Sequence, residues 1–252
     1  MPVRRQCPVM RRVRFRDPAG STRTGEWTDD GIEFAGTTYD PEDVTVLPPV
    51  EPSKIVCVGL NYHDHAEERG KEVPDRPLLF LKPPNALSSH GSTVTLPSGT
   101  ERIDHEAEFC IVVGEQCRGV SAEDAMDVVA GYTCMNDISN RDDQDVEQNW
   151  VRGKAFDNSA PLGPVVADPE DVPDDADVKL RVNGETRQDS SIAQFIWSVE
   201  EIVEVASEYL TLEAGDVIAT GTPPGVAPLE DGDHVEIEIE GVGTLEHDVV
   251  IP

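Results

Sequence analysis

Glu106 and Glu108 stand two residues apart, directly before the apolar, β-branched run Phe109-Cys110-Ile111-Val112-Val113. That run reads as a strand, and residues i and i+2 of a strand share a face. Any fold this chain adopts must therefore set two like charges side by side against a buried sheet, where they repel unless something positive holds them. A third carboxylate, Asp137, closes another apolar run, Val128 to Met135. Three oxygen donors without Cys or His suit a hard divalent cation such as Mg²⁺, Mn²⁺ or Ca²⁺, which keeps positions open for water and substrate. The bland alternative is a pair of solvent-facing glutamates in a very acidic protein.

The charge balance gives that alternative its weight. The chain has 252 residues, with 20 Lys and Arg against 50 Asp and Glu, and a formal net charge of −30. Nucleic acid and anionic membranes are poor partners for such a surface. The charge would self-repel in dilute buffer, and it suits a halophilic cytoplasm where salt screens it. An acidic binding protein, such as a calcium buffer or nucleic-acid mimic, is the rival. Hydrophobic residues make up 38% of the chain, low for a globular protein but too many for disorder. The five cysteines include no CxxC pair, and Cys57, Cys110 and Cys134 lie in strand-like apolar runs, as small core residues in a reducing cytosol would. No apolar run is long enough to span a membrane, and the basic start Met1 to Arg5 has no apolar stretch behind it, so a secretory signal is not expected. The strand pattern begins near Met10, which makes residues 1–9 an expected upstream extension.

Residues 10–47 read as short strands with turns at Asp17-Pro18-Ala19-Gly20 and Asp29-Asp30-Gly31. Pro48-Pro49-Val50-Glu51-Pro52 forms a stiff linker, which predicts a small N-terminal β domain over 1–50 and a larger domain over 51–252. Further strands are predicted over 54–60, 78–81, 178–182, 216–220 and 235–239. One helix is predicted behind Ser121, with Asp124 reaching back and Ala125, Val128 and Val129 as its apolar stripe. A second follows Ser198, whose capping box is completed by Glu201, with Ile202, Val203, Ala206 and Tyr209 as its stripe. Strands outnumber helices, so the fold class is α+β or mostly β.

Several polar residues invite a chemical reading. His65 and Glu68 lie three apart, share a face on a helical turn, and would make a proton-abstracting pair; a surface histidine in a charged loop is the plain alternative. Their block, His63 to Arg76, has few apolar residues and suits a lid that orders over substrate. Lysine is rare, yet Lys82 and Lys154 sit beside apolar runs and turn residues. Each could hold an anionic substrate or an oxyanion, or could simply snorkel from a strand end. Arg141 and Gln144 follow Asp137 into the same mouth; Arg141 could clamp a carboxylate, or both could be helix-surface polarity. Thr220-Gly221-Thr222-Pro223-Pro224-Gly225 could bring Thr222 to a ligand or could be no more than a tight turn.

Taken together, these blocks resemble the fumarylacetoacetate hydrolase family. The resemblance rests on Gly59-Leu60-Asn61-Tyr62 with His65 and Glu68, Phe80-Leu81-Lys82-Pro83, Asp104-His105-Glu106-Ala107-Glu108, Asn136 to Asp142, Gly153 to Asp157 and Thr220 to Pro223, all in the family's order. It implies a β-rich α+β fold with a small N-terminal β domain, usually dimeric. It implies Mg²⁺ on Glu106, Glu108 and Asp137, His65 and Glu68 as the water-activating pair, and Lys82, Arg141, Gln144, Lys154 and Thr222 facing substrate. His105, where an aromatic is frequent, and Ala155, where a small hydroxyl residue often stands, depart from the pattern and bear on substrate choice. The implied activity is hydrolysis of a carbon–carbon bond in acylpyruvate or β-diketo acids, small anionic 2-oxo compounds, through an enolate that Mg²⁺ and Lys154 stabilise. The alternatives are a decarboxylase or isomerase of the oxaloacetate or 2-hydroxyhepta-2,4-dienedioate type, and an acidic metal-binding protein without catalysis. The expected assembly and location are a homodimer in the cytoplasm.

The charge balance also makes a prediction. A net charge of −30 should weaken the fold in dilute buffer, so the melting temperature should climb steadily from dilute buffer to molar KCl. A melting temperature indifferent to salt would remove the case for a halophilic origin.

Overall fold

Short β-branched segments divided by Gly, Pro and Asp turns leave little sequence for helix, and the chain folds mainly as sheet. The computed structural model describes residues 10–70 and 75–252. The expected upstream extension, 1–9 with Cys7, and the centre of the expected lid, 71–74, lie outside the described residues. Before Pro48 come β1 (Arg11–Arg16), β2 (Thr22–Thr28), β3 (Gly31–Phe34), β4 (Thr37–Tyr39) and β5 (Thr45–Leu47). Then follow β6 (Ile55–Gly59), α1 (His63–Arg69), β7 (Leu78–Lys82), β8 (Leu87–Ser89), β9 (Ser92–Thr95), β10 (Ile103–Asp104), β11 (Ala107–Val113), β12 (Val129–Asn136) and β13 (Ser139–Asn140). The rest comprises α2 (Arg141–Val146), α3 (Val151–Lys154), β14 (Ala160–Ala167), β15 (Asp177–Val182), β16 (Glu185–Ser191), α4 (Val199–Tyr209), β17 (Val217–Ala219), β18 (His234–Ile239) and β19 (Gly243–Val250).

A 12-stranded sheet runs β4-β3-β2-β1-β14-β12-β11-β17-β6-β7, with β5 and β8 beside β1 and β14. β1 pairs with β14 at Arg11 and Arg12, so the strands before Pro48 extend the sheet that carries β11. A five-stranded sheet, β16-β15-β18-β19-β9, packs across it. Alternation sorts β11 between two cores. Phe109, Ile111 and Val113 join the main core with Leu180, Ile237 and Leu245 of the second sheet. Cys110 faces the other way, into a smaller cluster with Ile55, Cys57, Met135 and Ala219. β11 is buried on both faces, which is why its sequence is continuously apolar from Phe109 to Val113. In β18 the pattern is half-buried, with Val235, Ile237 and Ile239 inward and the glutamates between them outward. Cys57, Cys110, Cys117 and Cys134 are buried and free, in line with core cysteines.

The helices depart from expectation in two places. Residues Ala122–Val128 form a 3₁₀-helix, and the Ser121 hydroxyl donates to the Asp124 carboxylate (2.8 Å) instead of capping the backbone. Ala125 and Val128, three apart, form its buried stripe as three residues per turn require, and Val129 already opens β12. The capping box of Ser198 and Glu201 is present, and Ile202, Val203 and Ala206 are buried, but Tyr209 is exposed. It ends α4 over an open groove beside the edge strand β7, and among the described residues no further element covers it.

His247 in β19 gives the fold a measurable pH dependence. Its buried Nε2 accepts a hydrogen bond from Asn136 Nδ2 (2.9 Å), and Asn136 Oδ1 is committed to the Glu106 N–H (2.9 Å). A proton on Nε2 would face the amide N–H₂. Burial lowers the His247 pKa from 6.5 to about 4, so the unfolded chain takes up a proton first as pH falls. The stability this group provides is complete above pH 6.5 and drains away toward pH 4, by up to about 3 kcal/mol. Denaturant unfolding across that window should show a steeper loss in wild type than in His247→Gln, which keeps an acceptor but does not titrate. Equal slopes would show that other groups carry the acid sensitivity.

Candidate functional site

The row of side chains in the smaller cluster continues, strand by strand, into polar residues at one end of the sheet. Cys110 is followed along its face by Glu108 and Glu106, Met135 by Asp137, and Phe80 by Lys82. Register holds them together: Glu108 pairs with Met135, and beyond the last strand pair Asp137 N–H donates to Glu106 O (2.8 Å). One ligand oxygen from each of Glu106, Glu108 and Asp137 lies within 4.8 Å of the others, and all three side chains are buried. The carboxylates predicted to converge do so, and the solvent-facing alternative is excluded.

Three cations hold them. Lys154 Nζ donates to Glu106 Oε2 (2.6 Å) and Asp137 Oδ2 (2.5 Å), and Lys82 Nζ to Asp137 Oδ1 (2.6 Å). Arg141 bonds Glu106 with one terminal nitrogen, Gln144 Oε1 with the other (2.6 Å) and Asp104 through Nε (2.8 Å). Burial alone would raise the Glu106 carboxyl, but Lys154 and Arg141 outweigh it and hold the group well below the ordinary carboxylate range. Burial likewise would discharge Lys154, but Asp137 and Glu106 keep its ammonium well above the usual lysine value. Glu108 is the exception. Burial, then Asp137 and Glu106, push its carboxyl well up, against Lys154 and the Gly221 N–H (2.9 Å). Three carboxylates thus meet three cationic side chains, and Glu108 is the one that still calls for a proton or a metal. An all-oxygen set of this kind fits Mg²⁺ or Mn²⁺.

A cavity of about 260 Å³ opens on this cluster. His65, Arg141, Gln144, Lys154 and Thr222 line it with the three carboxylates, and Val58, Leu60, Leu78, Phe80 and Trp150 supply apolar lining, the Phe80 ring centroid lying 5.2 Å from Lys154 Nζ. Leu60 and Trp150 are non-glycine residues with φ of 56° and 53°, strained conformations worth about 1–3 kcal/mol each. His65 Nδ1 lies 3.1 Å from Glu68 Oε2 on α1, as the i, i+3 spacing predicts. Glu68, half-exposed, also accepts the Gly225 N–H (3.2 Å). Lys82 does not line the cavity. It is fully buried behind Asp137, where it neutralises the carboxylate from the protein side.

Sequence reasoning passed over four residues. Asp104 binds Arg102 through two contacts (2.9 and 3.0 Å) and fixes the Arg141 guanidinium. Asn136 accepts the Glu106 N–H, and Ser139 Oγ donates to Glu106 Oε2 (3.2 Å). Gln188, from β16 in the other sheet, meets His105, Ala107, Thr222 and Pro223. The sequence carries no signal for it, because Glu185–Ser191 is polar throughout and nothing marks Gln188 as the inward position. His105 alternates away from the carboxylates toward Gln188, and burial lowers its pKa.

Comparison with known proteins agrees with this arrangement. Residues 54–250 match the family described as fumarylacetoacetate (FAA) hydrolase C-terminal. The oxaloacetate tautomerase YisK of Bacillus subtilis is 38% identical over 246 residues, covering 92% of this chain and 82% of its own. The 5-carboxymethyl-2-hydroxymuconate delta-isomerase of Mycobacterium smegmatis has a similar structure, with a TM-score of 0.88 at 39% identity, covering 96% of this chain and 99% of that one. The maleylpyruvate hydrolase of Sphingobium sp. SYK-6, solved with manganese(II) and pyruvate, gives a TM-score of 0.81 at 31% identity, covering 96% and 99%.

The carboxylate cluster predicts a metal linkage. Mn²⁺ or Mg²⁺ at a hundredfold excess over its dissociation constant should stabilise the fold by about 2.7 kcal/mol, and Glu108→Gln or Asp137→Asn should erase the shift. Because burial and the neighbouring Asp137 and Glu106 push the Glu108 carboxyl up, a cation there competes with a proton, so metal affinity should rise with pH and binding should release protons, which calorimetry in two buffers detects. A melt unmoved by metal after chelator treatment would overturn the assignment.

Proposed function

The chain belongs to the fumarylacetoacetate hydrolase family, and on that premise we propose that it is a divalent-metal-dependent enzyme that cleaves a carbon–carbon bond in acylpyruvates by way of an enolate. The observation that carries this reading is the mixed lining of the cavity. Glu106, Glu108, Asp137, Lys154, Arg141 and Thr222 line it together with Val58, Leu60, Leu78, Phe80 and Trp150. An acylpyruvate is mixed in the same way, with a 2-oxo acid at one end and an acyl group at the other.

Bound by Glu106, Glu108 and Asp137, a divalent cation supplies Lewis acidity at the 2-oxo acid end. The side chains do the rest. Arg141 and Thr222 receive the substrate carboxylate, and the apolar lining seats the acyl group and thins the water around it. His65, its Nδ1 oriented by Glu68, takes a proton from water. The water oxygen adds to the distal carbonyl, and the bond from that carbon to C3 breaks. Its electron pair stays on C3 as an enolate whose oxygen lies toward the Lys154 ammonium. The proton held by His65 is returned to C3, which completes pyruvate and restores the base, and the acyl group leaves with the water oxygen as a carboxylic acid.

A second reading, keto–enol tautomerisation of oxaloacetate, is favoured by the Bacillus subtilis relative. It needs the same His65 and Lys154 to move a proton between C3 and oxygen, with no water consumed. Isomerisation or decarboxylation would use the same enolate.

Acylpyruvate cleavage and oxaloacetate tautomerisation should be followed side by side, with Mg²⁺ or Mn²⁺ in high salt. His65→Ala and Glu68→Gln should each lower cleavage by roughly 10²–10⁴-fold while leaving Mn²⁺ affinity unchanged. Cleavage that survives both substitutions would dismiss the pair as the base. A wild type that tautomerises oxaloacetate but spares every acylpyruvate would put the second reading in place of the first.

A further inference from the structure

Gln188 is nearly fully buried between the two sheets and spends both ends of its amide on neighbours of known polarity. Its Oε1 accepts the backbone N–H of Ala107 (3.0 Å) and lies 3.1 Å from His105 Nδ1. Its Nε2 lies 2.8 Å from both Thr222 Oγ1 and the Pro223 carbonyl oxygen. A backbone N–H can only donate and a carbonyl can only accept, so these two partners fix the amide orientation without appeal to electron density. Reversal would set N–H₂ against N–H at Ala107 and oxygen against oxygen at Pro223.

The orientation propagates in two directions. His105 must carry its proton on Nδ1 to face Gln188 Oε1, which leaves Nε2 as a bare acceptor; that atom is buried with no hydrogen-bond partner. Thr222 must accept at Oγ1, so its single hydroxyl proton is spent elsewhere. Among the described residues no protein acceptor takes that proton, and Thr222 lines the cavity together with His65 and the carboxylates. The contact itself is enforced by close packing. At Gly225, where φ is +94°, an added Cβ would come within 2.1 Å of Arg187 O, so only glycine lets the turn press onto β16 and bring Thr222 to Gln188.

We propose that Gln188 is a positioning residue that turns the Thr222 hydroxyl proton into the cavity, so that Thr222 presents a directed donor to an acceptor oxygen of the ligand. Resting on the 2-oxo-acid reading above, that acceptor is a carboxylate oxygen of the substrate. Arg141 and Lys154 supply charge, which acts at a distance, whereas the fixed Thr222 proton supplies direction.

Pyruvate is a suitable probe, and its affinity for the Mn²⁺-loaded protein can be measured by calorimetry. Thr222→Val should weaken binding by about ten- to a hundredfold, the loss expected for a hydrogen bond to a charged acceptor, and Thr222→Ser should restore most of it. Gln188→Leu should cost a similar factor, but almost nothing further when introduced into Thr222→Val. Full additivity in the double variant would mean that Gln188 acts merely as packing and would overturn the proposal, as would wild-type affinity in Thr222→Val. Should Gln188→Leu not fold, ¹⁵N spectra of the wild type decide: His105 protonated at Nδ1 supports the assigned polarity, and protonation at Nε2 overturns it. That measurement needs no ligand. A wild type that ignores pyruvate would therefore count against the 2-oxo-acid reading, while the His105 tautomer still judged the hydrogen-bond polarity.

Discussion

Three carboxylates cannot share a water-poor corner of a protein in their charged forms without compensation. Everything around Glu106, Glu108 and Asp137 answers that requirement. Lys82 comes from the edge strand, Lys154 from a short helix, and Arg141 from the start of α2, each delivered by a different stretch of chain. The scarcity of lysine elsewhere becomes intelligible. Surface lysines are dispensable to a protein this acidic, but removing either buried one would strand a carboxylate charge in the interior. Neutralisation is complete on the Glu106 and Asp137 side and incomplete at Glu108, and this asymmetry is what a cation would exploit.

Two neutral amides hold the charged residues in place. Asn136 and Gln188 each accept a backbone N–H from the Glu106-Ala107 segment, at Glu106 and Ala107 respectively. Each then donates onward, to His247 and to Thr222. The segment bearing the carboxylates is thereby tied to the second sheet on both sides, without placing further charge beside them. Amides suit this role because they offer a donor and an acceptor in a fixed relation and do not titrate.

Much of this was legible in the chain. Short apolar runs identified β6 and β7, clean alternation identified β18, the capping box located α4, and the i, i+3 spacing paired His65 with Glu68. Glu106, Glu108 and Asp137 were readable because local strand geometry places the glutamates on one face and an adjacent antiparallel strand supplies the aspartate. What escaped was non-local. Lys82 looks like a ligand-facing residue until β7 is seen beside β6 with Asp137 in front of it. Gln188 lies more than eighty positions from Ala107, and only the packing of two sheets brings them together. Ser121 misled because a serine followed by an acidic residue three places on can satisfy its partner's side chain as readily as the backbone.

The mixed lining of the cavity has an evolutionary consequence. Glu106 and Glu108 sit at the start of a strand buried on both faces, where shifting the register by one residue would move every side chain of the row to the opposite face. Leu60 and Trp150 lie outside the strands, and Leu78 and Phe80 belong to β7, which among the described residues pairs on one side only. Drift can therefore rewrite which tail fits while the charged chemistry stays put.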